Sequence, residues 1–101
     1  MTTVEFEQHV QDHATYDLDD AYCVVALNEE AGEIAGWYKK MVLRKNVTKR
    51  FTEEDLLGEL GDLLYYLTRL GSNHGWSLEK IMDHNKVKLD DRVAQKMRQI
   101  V

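Results

Sequence analysis

Proline is absent from the 101 residues. Nothing therefore forces a break in a helix, since proline is the residue that removes a backbone donor and clashes with the preceding turn. Cysteine occurs once, at Cys23, which excludes an internal disulfide and leaves no thiol pair to hold zinc. A small core position suits it. No stretch approaches the ~18 consecutive apolar residues of a membrane span. No segment alternates apolar and polar residues for long, so strands are not expected. Basic residues are the minority, 13 against 18 acidic, for a formal net charge of −5. That balance argues against nucleic-acid binding, which wants a basic face. It still permits a small phosphate ligand, because metal ions invert local charge. The opening MTTVEFEQHV lacks the basic start and apolar run of a secretory signal, so the cytoplasm is the expected location. No G-x-x-x-x-G-K-S/T stretch exists, which argues against a P-loop enzyme.

What is present reads as one all-α domain. At this length folding hides somewhat under ~70% of the surface that the unfolded chain exposes, so pairing with a second copy would help. Four helices are expected. The first runs over about Val4 to Ala14, with Thr3 as its cap. The second runs from about Leu18 to Leu43, with Val24, Leu27, Ala31, Ile34, Tyr38 and Met41 stepping by three and four. The third starts after Thr52, a good cap followed by Glu53, Glu54 and Asp55, and carries Leu56, Leu60, Leu63, Leu64, Leu67 and Leu70. It should stop within GSNHG, where Gly71 or Gly75 can cap it. The fourth follows Ser77 to about Met97, with Leu78, Ile81, Leu89 and Val93 inward. The RKNVTKRF loop is basic, through Arg44, Lys45, Lys49 and Arg50. It reads as a solvated loop or as a contact with phosphate or another subunit.

The acids are not scattered. Successive helical residues turn by ~100°, so Glu30 and Glu33, three apart, point within about 60° of one another. Glu59 and Asp62 repeat that spacing. Each pair borders its apolar stripe. If the second and third helices pack antiparallel through those stripes, the two pairs meet. Converging carboxylates either hold protons through raised pKa values or bind cations. An oxygen-only set favours magnesium or manganese. The alternative is that these are ordinary surface acids.

On the fourth helix Asn85, Lys88 and Arg92 share a face. A lysine and an arginine at this spacing can grip phosphate, or can pair with Asp90 and Asp91. Trp37, Tyr38, Tyr65 and Tyr66 could stack on a base or fill core and interface. Trp37 and Tyr66 lie about a turn beyond an acid pair. Trp76 reads as a packing anchor. His9 and His13 read as a solvated face. Gly32, Gly36, Gly58 and Gly61 are costly within helices and would allow close helix approach beside the acids.

These motifs together resemble the MazG-like nucleoside triphosphate pyrophosphohydrolases of the all-α NTP pyrophosphatase superfamily. The resemblance rests on EEAGE (Glu29 to Glu33), ELGD (Glu59 to Asp62) within ELGDLLYYL, and KLDDR (Lys88 to Arg92), in that order. It implies a four-helix, bundle-like MazG-type fold completed by dimerisation. It also implies hydrolysis of a nucleoside triphosphate to the monophosphate and pyrophosphate. By position, Glu30, Glu33, Glu59 and Asp62 would bind magnesium. Glu29 would be a further ligand or would orient the attacking water, making Glu29 and Glu30 the catalytic candidates. Lys88 and Arg92 would contact phosphates, with Asn85 beside them and Trp37 the candidate for the base. Homodimers or dimers of dimers are implied as well. Two other readings remain: a narrower superfamily enzyme acting on dUTP or phosphoribosyl-ATP, and a non-catalytic helical dimer that regulates or scaffolds a partner.

Overall fold

The computed structural model describes residues 1–44 and 50–100, and the described residues form four α-helices and no strand. They are α1 (Thr3–His13), α2 (Asp20–Tyr38), α3 (Glu53–Asn73) and α4 (Leu78–Ile100), with a π-helical stretch, Lys39–Arg44, continuing α2. Lys45 and Lys49 of the basic loop lie outside the described residues, and Arg50 beside them is exposed.

Each helix start has a local chemical cause. Thr2, one residue earlier than expected, caps α1: the Glu5 N–H donates to Thr2 Oγ1 at 3.1 Å and the Thr2 N–H donates back to Glu5 Oε1 at 3.0 Å. Asp19 caps α2, its Oδ1 accepting from the Tyr22 N–H at 2.8 Å. Thr52 caps α3 as expected, in a reciprocal pair with Asp55. Caps of this kind contribute ~1 kcal/mol each. At α4 the orphan amides are answered from two places. Ser77 Oγ accepts from the Lys80 N–H at 3.1 Å, and Glu7 Oε1, reaching over from α1, accepts from the Leu78 N–H at 3.0 Å.

Helices α2 and α3 form an antiparallel hairpin. Tyr22 meets Tyr66 near one end, and Glu30 and Glu33 meet Glu59 nearer the other. The core lies at the tyrosine end, where Val10, Leu18, Cys23, Ala26 and Leu78 are buried. Cys23 is a core residue, as its solitude in the sequence suggested. Arg69 is buried among them. Its Nη2 donates to the Tyr16 carbonyl at 2.6 Å and its Nη1 to the Tyr65 hydroxyl at 2.9 Å. Asn73 Nδ2 donates to the Leu18 carbonyl at 2.7 Å, and His74 Nε2 lies 2.6 Å from Asp20 Oδ2. These contacts pin the loop between α1 and α2 against the end of α3.

The turn from α3 to α4 is tight. Gly75 takes a positive φ of 72° that only glycine adopts at low cost. Gly71 has Ile81 Cδ1 only 3.0 Å from where a Cβ would sit, and the Trp76 carbonyl 3.2 Å away. Trp76 stacks on His74 and remains half exposed, so it does not anchor a core. The four glycines near the acids, Gly32, Gly36, Gly58 and Gly61, face open space, so no close helix approach requires them within one chain.

Only the first turn of α4 is packed. Leu78 is buried and Ile81 half-buried, but Leu89 is 46% and Val93 62% exposed, contrary to the inward placement expected for them. Among the described residues α4 meets α1 and α3 and makes no contact with α2. The radius of gyration, 17.5 Å, exceeds the ~13 Å of a compact 100-residue domain. Leu57, Leu60, Leu64 and Leu67 on α3 are likewise exposed. Of the apolar steps along α2, Val24, Ala31 and Tyr38 face out as well. The apolar periodicity was real, but nothing among the described residues covers these faces.

Candidate metal centre

The cluster forms where the hairpin brings two helices to the same level. Three carboxylate oxygens, one each from Glu30, Glu33 and Glu59, lie within 4.8 Å of one another. Opposite oxygens around one octahedral magnesium are about 4.2 Å apart, from metal–oxygen distances of ~2.1 Å. The three groups therefore stand close to ligand spacing. Both expected acid pairs contribute, though unequally. Asp62 lies outside the close trio and is exposed. Its charge still reaches the trio, helping to raise the pKa of Glu33 and of Glu59. Glu29, also exposed, acts on Glu33 in the same way.

The electrostatics follow from this crowding. The Glu33 carboxyl is pushed above the usual carboxylate range, chiefly by the hydrogen bond it can share with Glu59 and then by that neighbour's charge. Glu59 is pushed up by its contact with Glu30 and then by desolvation. A carboxylate cannot donate to a carboxylate, so either contact is a hydrogen bond only while one partner holds a proton. With all three ionised, Glu59 Oε2 is a buried oxygen with no hydrogen-bond partner. Buried polar atoms in native proteins are almost always satisfied. An orphaned anionic oxygen facing two more carboxylates is relieved by a proton or by a hard cation.

The remaining predicted residues are elsewhere. Asn85, Lys88 and Arg92 are exposed on the outlying part of α4. Asn85 borders an apolar groove of about 840 Å³ with Phe6, Leu64, Leu67 and Met82, away from the acids. Asp90 pairs with Lys86 at 2.6 Å, not with Lys88 or Arg92. Within one chain the phosphate-binding candidates and the carboxylates are not brought together. Trp37 is occupied: its ring stacks on Phe51 at 5.4 Å, with Lys40 Nζ 5.7 Å from the ring centre.

The sequence carries a periodic signal for one further neighbour of the site. Tyr22 precedes Glu29 by seven residues and Glu33 by eleven, which returns it to within about 20° of their direction on α2. Its ring lies 6.4 Å from that of Tyr66.

No family model matches the chain, and no solved structure matches it. A segment of 73 residues, 71% of the chain, is 34% identical to the Gene 37 protein of Mycobacterium phage L5. The match spans 64% of the length of that phage protein. No helix among the described residues is long and apolar enough to cross a membrane.

Proposed function

We propose that this chain is a magnesium-dependent nucleoside triphosphate pyrophosphohydrolase of the MazG-like kind, acting in the cytoplasm as a homodimer or dimer of dimers. One observation carries the reading: the Glu30–Glu33–Glu59 cluster holds a buried carboxylate oxygen without a hydrogen-bond partner among the described residues. Glu30, Glu33 and Glu59, with Asp62 at the margin, would hold magnesium, or manganese in its place. The ion supplies charge neutralisation for the triphosphate, polarisation of its oxygens and a lowered pKa for water.

The chain's own groups do the rest. Glu29, exposed beside the trio, orients a water and accepts its proton. The water oxygen forms a bond to the α-phosphorus while the bond from that phosphorus to the oxygen bridging to the β-phosphorus breaks. Pyrophosphate leaves with the electron pair. Lys88 and Arg92 stabilise its charge, with Asn85 beside them. Because α4 makes no contact with α2 among the described residues, these cations would come from a second copy.

Purified protein incubated with magnesium and a panel of ribo-, deoxy- and modified triphosphates should release pyrophosphate. Orthophosphate as the only product rejects the reading. Activity confined to dUTP or phosphoribosyl-ATP would narrow it to one of the specialised superfamily enzymes.

A second reading has its own support. The exposed leucines of α3 and the bare outer part of α4 also suit a non-catalytic helical dimer that regulates or scaffolds a partner. It predicts no rise in melting temperature on adding magnesium, and function that survives neutralising the acids.

A further inference from the structure

The carboxylates account for the phosphate end of a nucleotide and leave its base without a place. The aromatic residues near the hairpin can be sorted by what already covers them. Trp37 carries Phe51 on its ring. Tyr65 meets Tyr66 edge-on at 5.3 Å, and its hydroxyl is taken by Arg69. Tyr38 is exposed, but sixteen residues of helix turn it ~160° away from Tyr22 and the acid column. Tyr22 is different. It is 49% exposed and points along the same side of α2 as Glu29 and Glu33. It leans on Tyr66 across the hairpin at 6.4 Å and 50°.

The spacing is that of a nucleotide. Seven to eight residues separate Tyr22 from Glu29 and Glu30, a rise of ~10–12 Å along the helix, a span that a base and its 5′-phosphate chain together can cover. The electrostatics agree. The Tyr22 hydroxyl is held above its ordinary pKa chiefly by Tyr16, through charge and a hydrogen bond, then by burial and, less strongly, by the charge of Glu29. That of Tyr66 is raised by burial first and then by neighbours that include Tyr22 and Glu30. Both rings therefore stay neutral and lie within the field of the carboxylates.

We propose that Tyr22, backed by Tyr66, is the platform on which the substrate's nucleobase stacks, with its phosphate chain running down the hairpin to Glu30, Glu33 and Glu59. This rests on the pyrophosphohydrolase reading and adds the base-contacting residue to it. A single stacked face accepts any base, since every base offers a π-surface. Selectivity among bases then has to come from other contacts.

Calorimetric binding in magnesium separates the claims. The probes are an α,β-methylene nucleoside triphosphate, which resists cleavage, and inorganic tripolyphosphate, which has no base. Tyr22→Leu keeps apolar bulk and removes the ring. It should weaken the nucleotide analogue about tenfold or more and leave tripolyphosphate binding unchanged. Tyr22→Phe should bind both as the unmodified chain does. Equal binding of the analogue by Tyr22→Leu overturns the platform, as does an equal loss of both probes. A larger loss for Trp37→Leu than for Tyr22→Leu moves the base to Trp37 and also overturns it. If the unmodified chain binds neither probe, the pyrophosphohydrolase reading falls and the platform falls with it.

Discussion

The two ends of the α2–α3 hairpin treat buried polarity in opposite ways. At the Tyr22 end, Arg69, Asn73 and Asp20 each have partners, and a cation is buried against a carbonyl and a phenol. At the other end three carboxylates face one another, and one oxygen has no partner. The first arrangement lowers the energy of the folded chain as it stands. The second raises it until a proton or ion arrives. Frustration is thus confined to the carboxylate end of the hairpin, while the polar groups at the Tyr22 end are satisfied within the fold.

The contrast can be broken by experiment. The largest effect is expected from Glu33→Gln, which should bring pyrophosphate release to background while the protein stays folded. Full activity in that variant would strip the cluster of its role. At the opposite end, Arg69→Met should cost about 1–3 kcal/mol, because it removes two part-buried hydrogen bonds from a charged donor, to the Tyr16 carbonyl and the Tyr65 hydroxyl. Urea denaturation measures it, and a loss well under 1 kcal/mol would show that the network is not what holds this end.

The two ends should also respond to pH with opposite sign. Asp20 has its pKa lowered, chiefly by the Asn73 hydrogen bond. Its contribution to stability is present above the ordinary carboxylate pKa and is lost as pH falls through the lowered value. Glu33 and Glu59 are raised above 4.5. Their folded state binds protons first, so they destabilise at neutral pH. That penalty is relieved as pH falls through the raised values towards 4.5. In chelator-treated protein, Glu59→Gln should therefore raise the melting temperature at pH ~7 and lose that advantage towards pH ~4.5. Asp20→Asn should lower it at neutral pH and have little effect in acid. Added magnesium should raise the melting temperature of the unmodified chain more than that of Glu59→Gln. The smallest effect is expected from Thr52→Ala, about 1 kcal/mol from the lost cap, read by thermal unfolding.

Much of this was legible in the residues. Thr52 followed by three acids gave the start of α3, and the matched three-residue spacings gave the meeting of Glu30, Glu33 and Glu59. These are local signals, set by helix geometry and capping chemistry. Arg69 was not legible, because a buried arginine and a surface one look alike until the carbonyl that receives it is in place. The placement of Leu89 and Val93 failed for a related reason. Periodicity says that a face is apolar and not which surface covers it. Asp62 was matched to Glu59 by spacing, and its lesser share in the trio is a matter of position across the hairpin. The basic loop's Lys45 and Lys49 lie outside the described residues.

The close fit of Gly71 against Ile81 has a mechanical consequence. From Ile81 to the end of α4 the helix runs ~28 Å, so each degree of tilt at that fulcrum carries the tip about half an ångström. One added methyl group at position 71 would press on the Ile81 side-chain tip and on the Trp76 carbonyl, and whatever the side chain did not absorb would be passed to that lever. The pitch at which the outer arm is presented is thus sensitive to packing at its base, far from anything the arm would touch.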